Sequence, residues 1–404
     1  VLEKREKPLN IMFVSHTYIG GPFVVGSHHL AREFSKRGHR VLHLSTSVTP
    51  LHLLQMYKKS VKSRFKHWLN TGKTAGEQSI IHCVPFTWVP WKLAGNLLRR
   101  RGRNWFVSFT AFPSLSKMFK LHRFQDVDLL FIDQPCFAGI DRYLNAKAIV
   151  YRPTDNYADM LGDGTVEWAE KDIVGRAHGI VATSGPVYQN IRKYRPELPG
   201  MILENGVEFE HFAKSCEEPT ELKDIPRPRA IYIGAVDDRL DLDAIRELAV
   251  ARPELSVIII GPHTTSKSTA TLSNLFFMGA HPYASLPSFL HHADLALLPM
   301  SDHAANAGRS PMKLYEYAAA GLPTVVTATA ELLRRTEDFL FFYKEKHEFI
   351  EQVDEVLRKI ATNGIVKERI IEAARMQSWE AKAELLLTFG LSLANEEARS
   401  FRGA

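Results

Sequence analysis

A lysine and a glutamate three positions apart, Lys313 and Glu316, stand inside the run Arg309-Ser-Pro-Met-Lys-Leu-Tyr-Glu-Tyr-Ala-Ala-Ala-Gly-Leu-Pro-Thr-Val325. On a helix that spacing puts the two side chains on one face. The amine brings a full positive charge to a helix start, where backbone N–H groups already draw phosphate. A carboxylate beside it can accept both hydroxyls of a ribose. A surface ion pair at this spacing contributes only about 0.2–0.5 kcal/mol. Such a pair accounts for Lys313 and Glu316, but not for the preceding loop, for Pro311 at the helix start, or for Gly321-Leu-Pro323 at its end. The chemistry on offer is capture of a nucleotide diphosphate.

A second group, Tyr151-Arg-Pro-Thr-Asp155-Asn-Tyr157, follows an apolar strand pattern. Open α/β sheets bind ligands beyond the carboxyl ends of their strands. Asp155 placed there can take a proton from a hydroxyl as its oxygen attacks; the competing role is a helix N-cap. Tyr157 joins it as a cleft residue. His16 follows the first strand, ahead of Gly20-Gly21, so all three are candidates for the acceptor side of a cleft; a buried, hydrogen-bonded histidine is the alternative for His16. The pairs His28-His29 and His291-His292 carry less. Asp126-Val-Asp128 precedes its strand and Asp241-Leu-Asp243 opens a helix, so no divalent metal and no cofactor is required. The cysteines Cys83, Cys136 and Cys216 are odd in number and contain no CxxC pair, so neither a zinc site nor a disulfide framework is suggested, which fits a reducing compartment.

The elements that must position these groups alternate strand and helix. Ile11–Val14, the helix Ser27 to Arg37 stopped by Gly38, and Val41–Leu44 form one βαβ unit. Strand patterns recur at Asp128–Ile132, Ala148–Tyr151 and Gly179–Thr183. After Asn205-Gly206 the rhythm restarts, with strands at Ala230–Ile233, Leu255–Ile260, Leu275–Met278, Leu295–Leu298 and Thr324–Val326. Helices are expected over Asp241–Ala251, Leu286–His292, Pro311–Ala320 and, as one long helix, Lys367–Phe389. The expected architecture is α/β, with two Rossmann-like domains facing each other across a cleft, each with a parallel sheet. The expected boundaries are 1–198 for the first domain, 199–375 for the second, and 376–404 for a closing helix plus a tail.

A net charge of +6 suits anionic partners. The segment 56–124 interleaves lysine and arginine with aromatic residues in Met56–Asn70, packs Arg99, Arg100, Arg101 and Arg103 together, and continues into the apolar run Trp105–Leu115 broken at Pro113. Such a stretch fits an anionic membrane surface, or else an amphipathic helix pair with a solvated basic face. Nothing resembles a nucleic-acid-binding signature, so nucleic acid is not expected as a partner. No stretch of about 18 or more apolar residues is present. The glycines after the first strand, Gly20, Gly21 and Gly26, lack dinucleotide-binding spacing, which excludes an oxidoreductase of that type.

The run Met312-Lys-Leu-Tyr-Glu-Tyr-Ala-Ala-Ala-Gly-Leu-Pro-Thr-Val-Val326 resembles the nucleotide-diphosphate signature of GT-B glycosyltransferases. Gly20-Gly21, Gly38-His39, Asn205–Phe212, Tyr232-Ile-Gly-Ala235, His292–Pro299 and Ser378-Trp-Glu380 agree with it, so the resemblance spans almost the whole chain. The nearest subgroups are the membrane-associated β-glucuronosyltransferase of xanthan synthesis and the teichuronic-acid-type transferases. The resemblance implies that Lys313 binds the donor diphosphate and Glu316 the ribose, with Met312, Gly234, Ala235 and Arg309 also on the donor. It makes Asp155 the general base. Many retaining members carry a second glutamate seven residues before the ribose-binding one; here Gly308 and Arg309 occupy that region, which points toward inversion. The implied donor is a UDP-sugar, carrying a hexose or uronic acid. The implied acceptor is a lipid-linked oligosaccharide in polysaccharide biosynthesis, at the cytoplasmic inner face of the membrane. A nucleotide-sugar epimerase and a non-catalytic glycan-binding protein are the alternatives.

Overall fold

The computed structural model describes residues 7–21, 24–71, 74–75, 80–91, 93, 110–158, 164–263 and 272–400. The cluster Arg99–Arg103 and the start of the run at Trp105 lie outside the described residues. The chain divides into two compact units, Val1–Glu204 with Lys382–Ala404, and Asn205–Ala381.

In the first unit, β1 (Asn10–Ser15), β2 (Arg40–Ser45), β3 (Thr74–Ala75), β4 (Ile80–Cys83), β7 (Asp126–Ile132), β8 (Asn145–Tyr151), β9 (Gly179–Ala182) and β10 (Gly200–Ile202) form a sheet ordered β10-β9-β8-β7-β1-β2-β4-β3. All neighbours pair in parallel except β3 with β4. A two-stranded ribbon joins β5 (Phe86–Thr87) to β6 (Ala111–Phe112). Ile11 through Val14 are fully buried, as expected of a parallel strand covered on both faces. Phe13 stacks on Phe131 of β7, with ring centroids 4.9 Å apart, and on Phe34 of the helix Gly26–Lys36. Burying one such ring contributes about 1.5–3 kcal/mol. The segment 56–124, expected to be either a membrane-surface stretch or an amphipathic helix pair, contains the helices Lys59–Leu69 and Leu115–His122 but also the short strands β3 to β6, of which β3 and β4 join the sheet. Strands of two to four residues carry too little periodicity to be read from the sequence.

The second unit contains β11 (Arg229–Ile233), β12 (Ser256–Ile260), β13 (Leu275–Gly279), β14 (Leu295–Leu298), β15 (Thr324–Thr327) and β16 (Leu340–Tyr343), all parallel, in the order β13-β12-β11-β14-β15-β16. Numbered from its own first strand this is 3-2-1-4-5-6, the doubly wound order, whose direction reverses between β11 and β14. The first sheet reverses in the same way between β1 and β7. Ligand crevices in such sheets open at the carboxyl ends of the strands flanking the reversal.

The single helix expected over Lys367–Phe389 is two: Lys367–Arg375 and Trp379–Ser400. Between them Gln377 gives its carbonyl to Val207 N–H (3.0 Å), and Trp379 N–H donates back to Val207 O (3.1 Å). Ser378 caps the second helix by accepting from Ala381 N–H at 3.3 Å. The helix is interrupted because a distant backbone segment takes these groups. Beyond the break the chain returns to the first unit. Gly179 lies so close to Leu393 and Phe389 that an added Cβ would stand 2.6 and 3.0 Å from them, and Gly390 abuts Leu129.

Candidate active site

In the second unit, β11 ends at Ile233 and the chain turns through Gly234 and Ala235 beside the topological reversal. Lys313 reaches this turn. A Cβ on Gly234 would meet Lys313 Cε at 2.5 Å and Nζ at 2.7 Å, so only glycine lets the amine lie there. From the other side, Gly261 holds φ +151° and its hydrogen faces Gly234 O, where a Cβ would come within 1.8 Å. Two glycines on neighbouring strands thus bring backbone and amine to one point. Tyr232 presents its ring 5.9 Å from Lys313 Nζ, and its hydroxyl donates to Ala235 O at 3.0 Å.

The helix carrying Lys313 spans Lys313–Ala319, with Met312 in the capping position, two residues later than expected from Pro311. Leu314 N–H donates to Pro311 O, and the amides of Tyr315 and Glu316 donate to Met312 O, so the amides nearest the helix start belong to Met312 and Lys313. Asn205 steadies the preceding loop by donating to Ser310 O at 2.8 Å. Glu316, half-buried, lies on the same face as Lys313. Burial is the main influence on both: it pulls the Lys313 amine below the usual lysine range, with Arg309 adding to the effect and Glu316 opposing it. It pushes the Glu316 carboxyl above the usual range, opposed by Lys313. A desolvated cation with a second cation beside it can attract an anion, with Glu316 opposing that attraction.

The sequence reading missed Arg239 and Asp237, which follow β11. Arg239 forks onto Asp237, and Asn306 ties Arg239 O and Ser301 O with bonds of 2.9 Å each. Both charges bear on Lys313. Their position just after a strand at the reversal was the available signal.

In the first unit, Asp155 lies half-buried past the end of β8. Thr154 Oγ1 donates to its carboxylate at 3.3 Å and pairs with the Tyr157 hydroxyl at 2.6 Å, while Thr183 Oγ1 donates to Thr154 O. Tyr157 N–H returns to Asp155 O at 3.0 Å. The loop is braced further back by Arg152, whose Nε and Nη2 donate to Asp133 Oδ1 (2.8 Å) and Oδ2 (2.5 Å); the side chains are only 3% and 1% exposed. Asp133 ends the β7 side of the reversal, and sequence reading missed this pair as well.

His16 follows β1 and is half-buried; burial, then Arg64 and Arg152, hold its pKa below the usual imidazole range. Gly20 and Gly21 fold back onto Tyr18 and His67: an added Cβ would stand 2.9 Å from Tyr18 O at Gly21 and 3.3 Å from the His67 ring at Gly20. Behind them three buried imidazoles meet, with ring centroids 4.9 Å apart for His28 and His43 and 5.6 Å for His43 and His82. Burial lowers all three, His28 and His82 to about 3. These groups fold neutral but bind protons near pH 6.5 once unfolded, so stability is lost as pH falls from 6.5 toward 3. Each histidine contributes a slope of up to about 1.4 kcal/mol per pH unit. Urea unfolding at pH 7 and pH 5 is expected to show a lower midpoint at pH 5, and His82→Leu to reduce that difference. Among the described residues no cluster of three or more His, Cys, Asp or Glu is arranged for a metal.

Two doubly wound units, one with a half-buried lysine and glutamate at its reversal and the other with a carboxylate at its strand ends, define the class of GT-B glycosyltransferases. Residues 227–359 match the family described as glycosyl transferases group 1, and residues 12–182 match the N-terminal domain of the glucuronosyltransferase GumK; together the two matches mark the chain as a glycosyltransferase. It is 25% identical over 225 residues to TuaH of Bacillus subtilis (strain 168), described as a teichuronic acid biosynthesis glycosyltransferase; the match covers 53% of this chain and 57% of that relative. Among solved structures it is similar to sucrose-phosphate synthase from Thermosynechococcus elongatus, with TM-score 0.67 and 13% identity over 98% of this chain and 100% of the other. It is likewise similar to Anabaena HepE in complex with UDP and glucose, with TM-score 0.66 and 13% identity over 95% and 99%.

Proposed function

We propose that the chain transfers a sugar, a hexose or uronic acid, from UDP to a lipid-linked oligosaccharide with inversion at C1. The observation that carries this reading is the Lys313 amine, desolvated and lodged against Gly234 with Glu316 on the same helix face. A diphosphate restores to that amine the electrostatic partner that burial removed, and Glu316 accepts from the ribose. Met312 supplies an amide, and Arg309 adds charge. Asp155 takes the proton of the acceptor hydroxyl as its oxygen attacks C1, and the bond to the diphosphate breaks. Lys313 and Arg309 stabilise the departing anion, so the scheme needs no cofactor. His16, Gly20, Gly21 and Tyr157 line the acceptor side. The UDP found with HepE supports uridine as the base.

The acceptor's lipid requires a membrane surface. Leu51, Leu53, Leu54 and Tyr57 are exposed, the last two 78% and 75%, next to a helix that presents Lys62 and Lys66 to solvent. Exposed apolar groups beside lysines favour an anionic lipid face, which we place at the inner side of the cell membrane. No helix among the described residues is long and apolar enough to cross a membrane.

Thermal unfolding with UDP, GDP, ADP, CMP and NAD tests the donor. UDP at about 100 times its dissociation constant is expected to stabilise the protein by roughly 2.7 kcal/mol, and Lys313→Ala to remove the shift. Because only protonated Lys313 attracts the diphosphate and its pKa lies low, UDP affinity is expected to fall as pH rises into the alkaline range. A shift with NAD alone would return the chain to the epimerase reading.

A further inference from the structure

Between β14 and the helix that carries Lys313 runs the loop 299–312, from which the scheme above draws Arg309 and Met312. Two residues of this loop are packed away from water: Asn306 is 2% exposed and Ser310 8%. Donors from distant parts of the chain fix Ser310. Asn205 Nδ2 donates to its carbonyl at 2.8 Å, and Arg335 Nη2 donates to its hydroxyl at 3.3 Å. Arg335 follows the short turn Leu332–Arg334 past β15, and the same Nη2 donates to Glu331 Oε1 at 3.0 Å. These two charged side chains are 7% and 0% exposed. Asn306 secures the other end of the loop through Arg239 O and Ser301 O, and its own carbonyl accepts from Arg309 N–H at 3.3 Å. Loops past β11, β14 and β15, three neighbouring strands, are thereby joined at one edge of the sheet.

A buried ion pair is a poor source of stability. Desolvating two charges offsets most of their attraction, and an apolar pair of similar volume is often as stable or more so. What apolar side chains cannot supply is a donor with a fixed direction. A guanidinium is planar and rigid, so with Glu331 holding Nη2 the bond to Ser310 has one aim. The loop needs that hold. Arg309 and Lys313 carry like charges, close enough for one to bear on the other, and they push apart. Groups that must meet a ligand have to stay within about 0.5 Å of the productive geometry.

We infer that Arg335, oriented by Glu331, is a positioning residue of the donor site: with Asn205 it fixes Ser310, and so holds Arg309 and the Met312 amide beside Lys313 for the second phosphate of the nucleotide. This rests on the nucleotide-diphosphate reading. It adds that loss of the hold is felt at the diphosphate and not at the ribose, whose assigned partner Glu316 lies further along the helix.

The test is calorimetric binding of UDP and UMP to the full chain. UMP carries the base, the ribose and the first phosphate, so the ratio of the two affinities isolates the second phosphate. Ser310→Ala deletes the hydroxyl and leaves the ion pair. The double change Glu331→Leu with Arg335→Met replaces the pair by apolar side chains and is expected to hold or raise the urea midpoint. In both, the UDP-to-UMP ratio is expected to fall about fivefold or more, the contribution of one hydrogen bond, with UMP affinity within about twofold of wild type. An unchanged ratio in Ser310→Ala overturns the inference. So does an equal loss of UDP and UMP binding, which would mark a general loosening of the unit. A fall in Ser310→Ala that the folded double variant does not share also overturns it, since the hydroxyl would then act without Arg335. Should the double variant not fold, Ser310→Ala decides alone. If the wild type binds neither nucleotide, or binds both equally, the diphosphate reading falls and takes the inference with it. A wild type that prefers UDP, with variants that prefer it as strongly, sinks the positioning role alone.

Discussion

Asp155→Asn is expected to lower the transfer rate by about 10²–10⁴-fold, the contribution of a positioned general base. The nucleotide-induced stabilisation should be untouched, because the residues assigned to the nucleotide all belong to the other unit. Asparagine retains an oxygen to accept from Thr154, whose hydroxyl lies 3.3 Å from the carboxylate, so the loop has no reason to move. What is lost is the ability to take a proton. The measurement is initial rate against pH at saturating donor: the wild-type acidic limb should vanish in the variant. A rate within tenfold of wild type would falsify the assignment and move the base to the other candidate on the acceptor side, the His16 imidazole.

Arg152→Met should have the largest effect on stability, at about 3–5 kcal/mol, because it leaves the Asp133 carboxylate buried without its partner. In the native protein burial already pushes the Asp133 pKa up and Arg152 restrains it. For a unit of this size the loss corresponds to roughly 6–20 °C in unfolding temperature. The informative comparison is the double variant with Asp133→Asn. If the ion pair is the cause, the second change recovers much of the loss, since a neutral amide is far cheaper to bury than an unpaired carboxylate. A double variant no more stable than Arg152→Met alone would show that Arg152 acts by packing its stem. Because Arg152 stands three residues before Asp155, the single variant should also slow transfer at temperatures where it remains folded.

Much of this could be read from the chain itself, and the exceptions share a physical cause. The strands at Ile11, Asp128, Ala148, Ala230, Leu295 and Thr324 are runs of apolar residues between turns, a local signal, and each is a strand of a parallel sheet. Lys313 and Glu316 were legible for the same reason: both fall within one turn of one helix. Asp133 and Arg152 were not, since they are 19 residues apart and meet only because β7 and β8 are neighbours. Arg64 and Thr46 meet across a loop between β2 and a helix with no periodicity of its own. The interruption at Gln377 is set by Val207, a residue 170 positions earlier, and a helical pattern running through it gave no hint of the pairing. Charge, periodicity and caps are local quantities; which strand end faces which is decided by topology.

The return of Lys382–Ala404 to the first unit sets an order in time. During synthesis the sheet around Leu129 and Gly179 emerges long before Phe389 and Leu393, the side chains that cover it. At about 5–20 residues per second, the stretch from Asn205 to Ser400 takes roughly 10–40 s to translate. Throughout that interval the first unit waits with an apolar face in water while the second, contiguous in sequence, is free to fold. Ribosome-bound chains halted near residue 380 should therefore recruit chaperones through the first unit, and emergence of Lys382–Ala404 should end that association.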